Sequence, residues 1–134
     1  LGVTAAFVRG APNIPTDPPT SAVTQEVTVY HAQPHGNRDP LRELVVPDFY
    51  VDIAKSLDRK KEMLACHASQ KDWLDATQGM GSYVETMVDI AREVGTMSGA
   101  FDVAEGWRRH LHFGFCPEEA DPLFDALTAF ANKA

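Results

Sequence analysis

The chain has 134 residues, 44% of them hydrophobic, with 12 basic against 19 acidic side chains and a net charge of −7. That length fits one domain with a sizeable core. The acidic balance argues against nucleic acid, whose phosphates need clustered Lys and Arg, and the longest apolar run falls well short of the ~20 residues a membrane span needs. The short basic runs Arg59-Lys60-Lys61 and Arg108-Arg109 read as solvated faces.

Leu1 to Val8 is apolar-rich and runs directly into Arg9-Gly10-Ala11-Pro12. It reads as the tail of an element that starts upstream. Pro12, Pro15, Pro18 and Pro19 make the stretch from Gly10 to Ala22 a loop, because proline fixes φ and removes a donor. Glu26 to Tyr30 alternates polar and β-prone residues and predicts a strand. His31 to Pro40 returns to loop. Leu44 to Ile53 is a second β-rich run, interrupted by Pro47.

A helix is predicted next, with Asp52 as N-cap. Ile53, Leu57, Leu64 and Ala68 fall on one face, and the stems of Lys60 and Lys61 flank that stripe. Ser82-x-x-Glu85, after Gly79-Met80-Gly81, is a capping box that opens a second helix. Tyr83, Met87, Ile90, Ala91 and Val94 form its stripe, with Gly95 as its C′ stop. Phe101 to Phe115 is ambiguous, though His110 to Phe113 alternates like a strand. A third helix starts with Asp121 as N-cap and Pro122 at N1, its inner face formed by Leu123, Leu127, Phe130 and Ala131. Strands alternating with helices give an α/β class, with few strands for a whole domain of that kind. Cys66 and Cys116 are far apart and make no metal spacing. They read as buried or inert free thiols in a reducing compartment, which fits a cytoplasmic location.

Several of these residues share a pattern with a known family. It runs Tyr50-Val51-Asp52-Ile53, then Lys61-x-x-Leu64-x-x-His67-x-Ser69-Gln70, then Gly81-Ser82-Tyr83, Arg92-Glu93-Val94-Gly95 and Ala104-Glu105-Gly106-Trp107. In order and spacing, from about Leu1 to Gly114, the chain resembles the C-terminal portion of the LmbE-like (PIG-L) zinc-dependent N-deacetylases. The resemblance implies a Rossmann-like LmbE-type α/β fold, with residues 1–134 forming the C-terminal part of a single domain. It implies hydrolysis of an acetamido group, usually on an amino sugar, so the expected partner is an N-acetylated sugar-like small molecule. The family's zinc is held by a His-Pro-Asp-Asp motif and a later histidine in a His-x-x-His-like motif. Neither is in this chain, so the cofactor implied for the complete fold is zinc, with none expected on this chain alone. In that chemistry a metal-bound water attacks the amide carbonyl while a carboxylate handles protons.

Ligands of open α/β sheets sit beyond the carboxyl ends of strands. The predicted Glu26–Tyr30 strand delivers its end to His31-Ala-Gln-Pro-His-Gly-Asn-Arg-Asp39. The candidate substrate-binding residues are therefore His31, His35, Arg38 and Asp39, with Glu105 added from the later motif. His35 and Arg38 would hydrogen-bond sugar hydroxyls or a tetrahedral oxyanion. An ordinary polar loop with Asp39 paired to Arg38 is the competing expectation. For Glu105 the competing expectation is a buried carboxylate paired with an arginine. No catalytic residue and no metal ligand are assigned. His31 and His35 are four apart, but in a Pro-Gly loop that spacing does not place both on one helix face, and His110 with His112 on a strand is a poor zinc site without a third ligand. His67-x-Ser69-Gln70 is read as structural, with Ser69 and Gln70 satisfying groups at a helix end. Trp73 and Trp107 are read as core or interface aromatics.

Three functions compete: part of an N-deacetylase inactive alone, a non-catalytic binding or assembly module on the same scaffold, and a stable remnant. Apolar surface left where strands are missing predicts self-association, or docking on an N-terminal half.

Overall fold

The computed structural model describes residues 1–78 and 83–134. Gly79-Met80-Gly81 and Ser82, hence the N-cap half of the expected capping box, lie outside the described residues. The chain is mixed α/β. Four strands form one sheet: β1 (Tyr30–Ala32), β2 (Phe49–Asp52), β3 (Ala104–Arg109) and β4 (Ala131–Lys133), in the order β1-β3-β2-β4. Every pairing is antiparallel, with Ala32 and Phe49 both opposite Trp107, and Tyr50 opposite Gly106. The helices are α1 (Gly2–Val8), α2 (Leu57–Ala65), α3 (Ala68–Gln78), α4 (Tyr83–Ser98) and α5 (Pro122–Leu127). No helix among the described residues is long and apolar enough to cross a membrane.

The core follows from the period-2 alternation of β2. Tyr50 joins Val94 of α4 and Ala104 of β3, while Phe49 meets Phe124 of α5 at 5.4 Å and Tyr30 at 6.2 Å. Ile53, Ala91 and Val103 form a second cluster, with Leu57 packed against it. Of the stripe read from α4, Tyr83, Ala91 and Val94 are buried, while Met87 and Ile90 are half-buried. Gly95 is not the helix stop. α4 runs on to Ser98, and Gly99, at φ +63°, takes the left-handed turn.

Local differences from the sequence reading have local causes. The first strand spans Tyr30–Ala32 rather than Glu26–Tyr30, since residues 30–32 are those in register with β3. Asp52 does not cap a long helix. Its Oδ1 accepts the Ala54 N–H at 2.9 Å and starts a 3₁₀ turn over Ala54–Ser56 that feeds α2. The helix expected through Ala68 breaks after Ala65: the N–H groups of Cys66 and His67 bond back three residues, to Met63 and Leu64. That i→i−3 tightening ends α2 and lets α3 set off anew. The strand in the ambiguous stretch is Ala104–Arg109, and His110 to Phe113 lies beyond it. α5 starts as read, with Asp121 at the N-cap and Pro122 first, but stops at Leu127, short of Phe130, which is half exposed. Cys66 is exposed rather than buried, and both thiols are free.

Asp121 makes no capping bond. Its Oδ1 instead accepts the Tyr30 hydroxyl at 2.7 Å, and the Tyr30 hydroxyl oxygen accepts the Leu123 N–H at 3.2 Å, so one phenol ties β1 to α5. Burial, then the bond to the Asp121 carboxylate, pushes the Tyr30 hydroxyl from its usual 10 up to about 12. The folded state thus holds this proton more tightly than the unfolded chain. Its stabilisation is complete below pH 10 and is lost as pH rises towards 12. Tyr30→Phe is expected to cost about 1–2 kcal/mol at neutral pH and to flatten the alkaline limb of a Tm-against-pH profile. An unchanged alkaline limb in Tyr30→Phe would show that the phenol is not its source.

Candidate functional site

The end of β1, β3, α2, α3 and α4 enclose a cleft of about 600 Å³. Small residues make the room: Ala32, Ala104 and Gly106 come from the strands. α2 supplies Lys60 and Leu64, the α2–α3 joint supplies His67, and α3 adds Gln70 and Leu74. The α4 wall is Tyr83, Thr86, Met87, Ile90, Ala91 and Val94. Glu105 and Trp107 enter from β3, and Gln33, Pro34 and His35 from the loop after β1. The lining is chiefly apolar with a few convergent polar groups, the usual make-up of a small-molecule site. A second hollow of about 340 Å³ is lined by Glu26, Thr28, Cys116, Ala120, Asp121, Pro122 and Asp125.

One ion pair crosses the cleft wall. Lys60 Nζ donates to Glu105 Oε1 at 2.7 Å, with each side chain about a third exposed (35% and 36%). Glu105 is thus partnered by a lysine, not by an arginine. Lys60 stands apart from its neighbours in the basic run, which make i,i+3 pairs in solvent: Arg59 with Glu62 and Lys61 with Asp58. Gln33 Nε2 donates to the Val45 carbonyl at 2.7 Å, while its buried Oε1 has no partner among the described residues.

The loop that delivers His35 is held by Asn37. This residue is fully buried at φ +55°, beside Gly36 at φ +73°. Its Nδ2 donates to Glu93 Oε2 at 2.8 Å and to the Ile90 carbonyl at 3.2 Å. Two acceptors around one nitrogen fix the amide's orientation. The loop is thereby tied to the same helix that walls the cleft.

Of the five residues expected to bind substrate, the cleft brings together His35 and Glu105. The other three lie elsewhere. His31 Nε2 is 2.9 Å from His110 Nδ1, and His110 sits edge-on to Phe115. Arg38 reaches Glu93 at 3.8 Å, rather than Asp39. Asp39 Oδ1 accepts the N–H groups of Leu41 and Glu43 and shapes the following turn. The His31 ring packs against His110, and the His112 ring lies 4.3 Å from that of Phe113, tilted by 48°. Among the described residues no three His, Cys, Asp or Glu side chains are grouped as metal ligands would be.

The sequence reading left out Gln33, Lys60, His67 and Gln70 as cleft residues. A signal for two of them was present: Lys60, Leu64 and His67 follow an i, i+4, i+7 spacing that puts them on one helical face. No comparable local signal marks Gln33. No protein-family model, curated protein or solved structure matches this chain.

Proposed function

We propose that this chain is the C-terminal, substrate-holding part of a metal-dependent hydrolase that removes an N-acetyl group from an amino sugar or related amide. One observation carries the reading. Nine of the twenty residues of the LmbE-like pattern line a single cleft: Leu64, His67, Gln70, Tyr83, Val94, Ala104, Glu105, Gly106 and Trp107. In this reading the antiparallel sheet is part of a larger Rossmann-like LmbE-type domain in the cytoplasm. The exposed Phe7, Leu111 and Phe113 are available for self-association or for contact with an N-terminal half.

The described residues do not fit a zinc centre, since no three-ligand group forms among them. What these residues can do is bind and orient. The ammonium of Lys60 and the carboxylate of Glu105 offer a donor and an acceptor 2.7 Å apart, a match for a vicinal diol or an amide. His35, His67 and Gln70 add further polar groups around the cleft, able to fix a polar headgroup while the apolar walls exclude water.

In a protein carrying the complete domain, Lys60→Met and Glu105→Gln are each expected to lower kcat/KM for an N-acetylated amino sugar by about tenfold or more. Stability should barely change, because a part-exposed ion pair contributes roughly 0–1 kcal/mol. Acetate release by both variants at the wild-type rate would remove the pair from the site.

A further inference from the structure

We propose that the cleft holds an apolar substituent of its ligand, an alkyl or aryl group attached to the polar amide or sugar head. The inference rests on the reading of the cleft as the substrate wall and specifies the substrate class. Two observations carry it. The first is size: a cavity of roughly 150 Å³ already takes a benzene ring, and this cleft measures about 600 Å³. It has room for a chain of about eight carbons beside a sugar-sized head. The second is the distribution of chemistry. Leu64, Leu74, Met87, Ile90 and Val94 line the cleft from three helices, and the Asp, Glu, Lys and Arg side chains among the described lining residues are Lys60 and Glu105, which pair with each other. A bare acetamido sugar presents hydroxyls in most directions and would leave those facing Leu64, Leu74, Met87, Ile90 and Val94 unpaired, which is unfavourable. An amphipathic ligand matches both parts, with its head at Lys60 and Glu105 and its tail along α4. Gln33, whose buried Oε1 has no partner among the described residues, also lines the cleft.

The test is calorimetric titration of this chain with N-octanoylglucosamine, below its micelle concentration, and with N-acetylglucosamine. Each fully buried methylene is worth roughly a fourfold gain in affinity. A cleft open on one side realises part of this, so the octanoyl compound is expected to bind about thirtyfold tighter or more. Met87→Trp, which fills the cleft, should abolish the difference. Leu74→Trp on α3 serves the same purpose where Met87→Trp fails to fold. Equal affinity for the two compounds would overturn the inference, as would octanoyl binding that survives in a folded cleft-filled variant. The hydrolase reading fails separately. Cleft-dependent octanoyl binding, with no acyl release by a protein carrying the complete domain, keeps the apolar site and removes the hydrolase. Acetate release without any preference for the longer chain keeps the hydrolase and removes the apolar site.

Discussion

Asn37→Asp is expected to destabilise the protein by about 3 kcal/mol or more, measured by urea unfolding at neutral pH. Asn37 is fully buried, and its Nδ2 donates to the Glu93 carboxylate and the Ile90 carbonyl. Aspartate of the same shape would turn an oxygen towards those two acceptors. A desolvated carboxylate would then sit beside another carboxylate, and the group would respond by holding a proton. The loss should therefore shrink as pH falls. Asn37→Ala should cost about 2 kcal/mol: the amide's bonds are lost, and a residue with a plain Cβ is forced to stay at positive φ. Both changes loosen the loop that carries Gln33, Pro34 and His35 into the cleft, so ligand affinity should fall along with stability. Wild-type stability in Asn37→Asp would mean that the loop is not held in this way.

The second large effect is expected at Gly95. A Cβ added there would lie 2.7 Å from the backbone of Asp102 and from the Phe101 carbonyl oxygen. Backbone cannot turn aside as a flexible side chain does. Alanine in mid-helix would ordinarily gain about 1 kcal/mol over glycine. Overpacking a tight site costs about 1–3 kcal/mol, occasionally more, and here α4 would have to move off the segment leading into β3. A net loss of about 2 kcal/mol is expected, lowering Tm by on the order of 10 °C. Because α4 is a wall of the cleft, the displacement should weaken ligand binding as well. A Gly95→Ala protein more stable than wild type would show that helix propensity outweighs the contact.

How much of this was legible in the sequence depended on whether local chemistry or distant pairing decided each element. α4 was readable because its stripe repeats over about three turns, and the start of α5 because Asp121-Pro122 is a strong local signal. β4 was not readable: Ala-Asn-Lys has no strand preference and is held by pairing with β2 at the sheet edge. The break between α2 and α3 has no glycine or proline to mark it. Gly95 looked like a helix stop because the sequence cannot show that Phe101 and Asp102 fold back against it. The site divided in the same way. His35 and Glu105 were found from loop and motif, but Glu105's partner, Lys60, lies 45 residues away in sequence and was read as a solvated charge. His31 was drawn into the site by its place in the loop, and only the register of β1 on β3 explains why it meets His110 instead.

The most direct test of the central claim, that this single cleft is where the ligand is held, is backbone amide shift mapping. The chain is titrated with N-octanoylglucosamine and the perturbed residues are identified. Saturable changes are expected at Gln33, Leu64, His67, Met87, Glu105 and Trp107, reduced in Met87→Trp. Changes confined to the second hollow around Glu26, Cys116 and Asp125, or no saturable change anywhere, would contradict it.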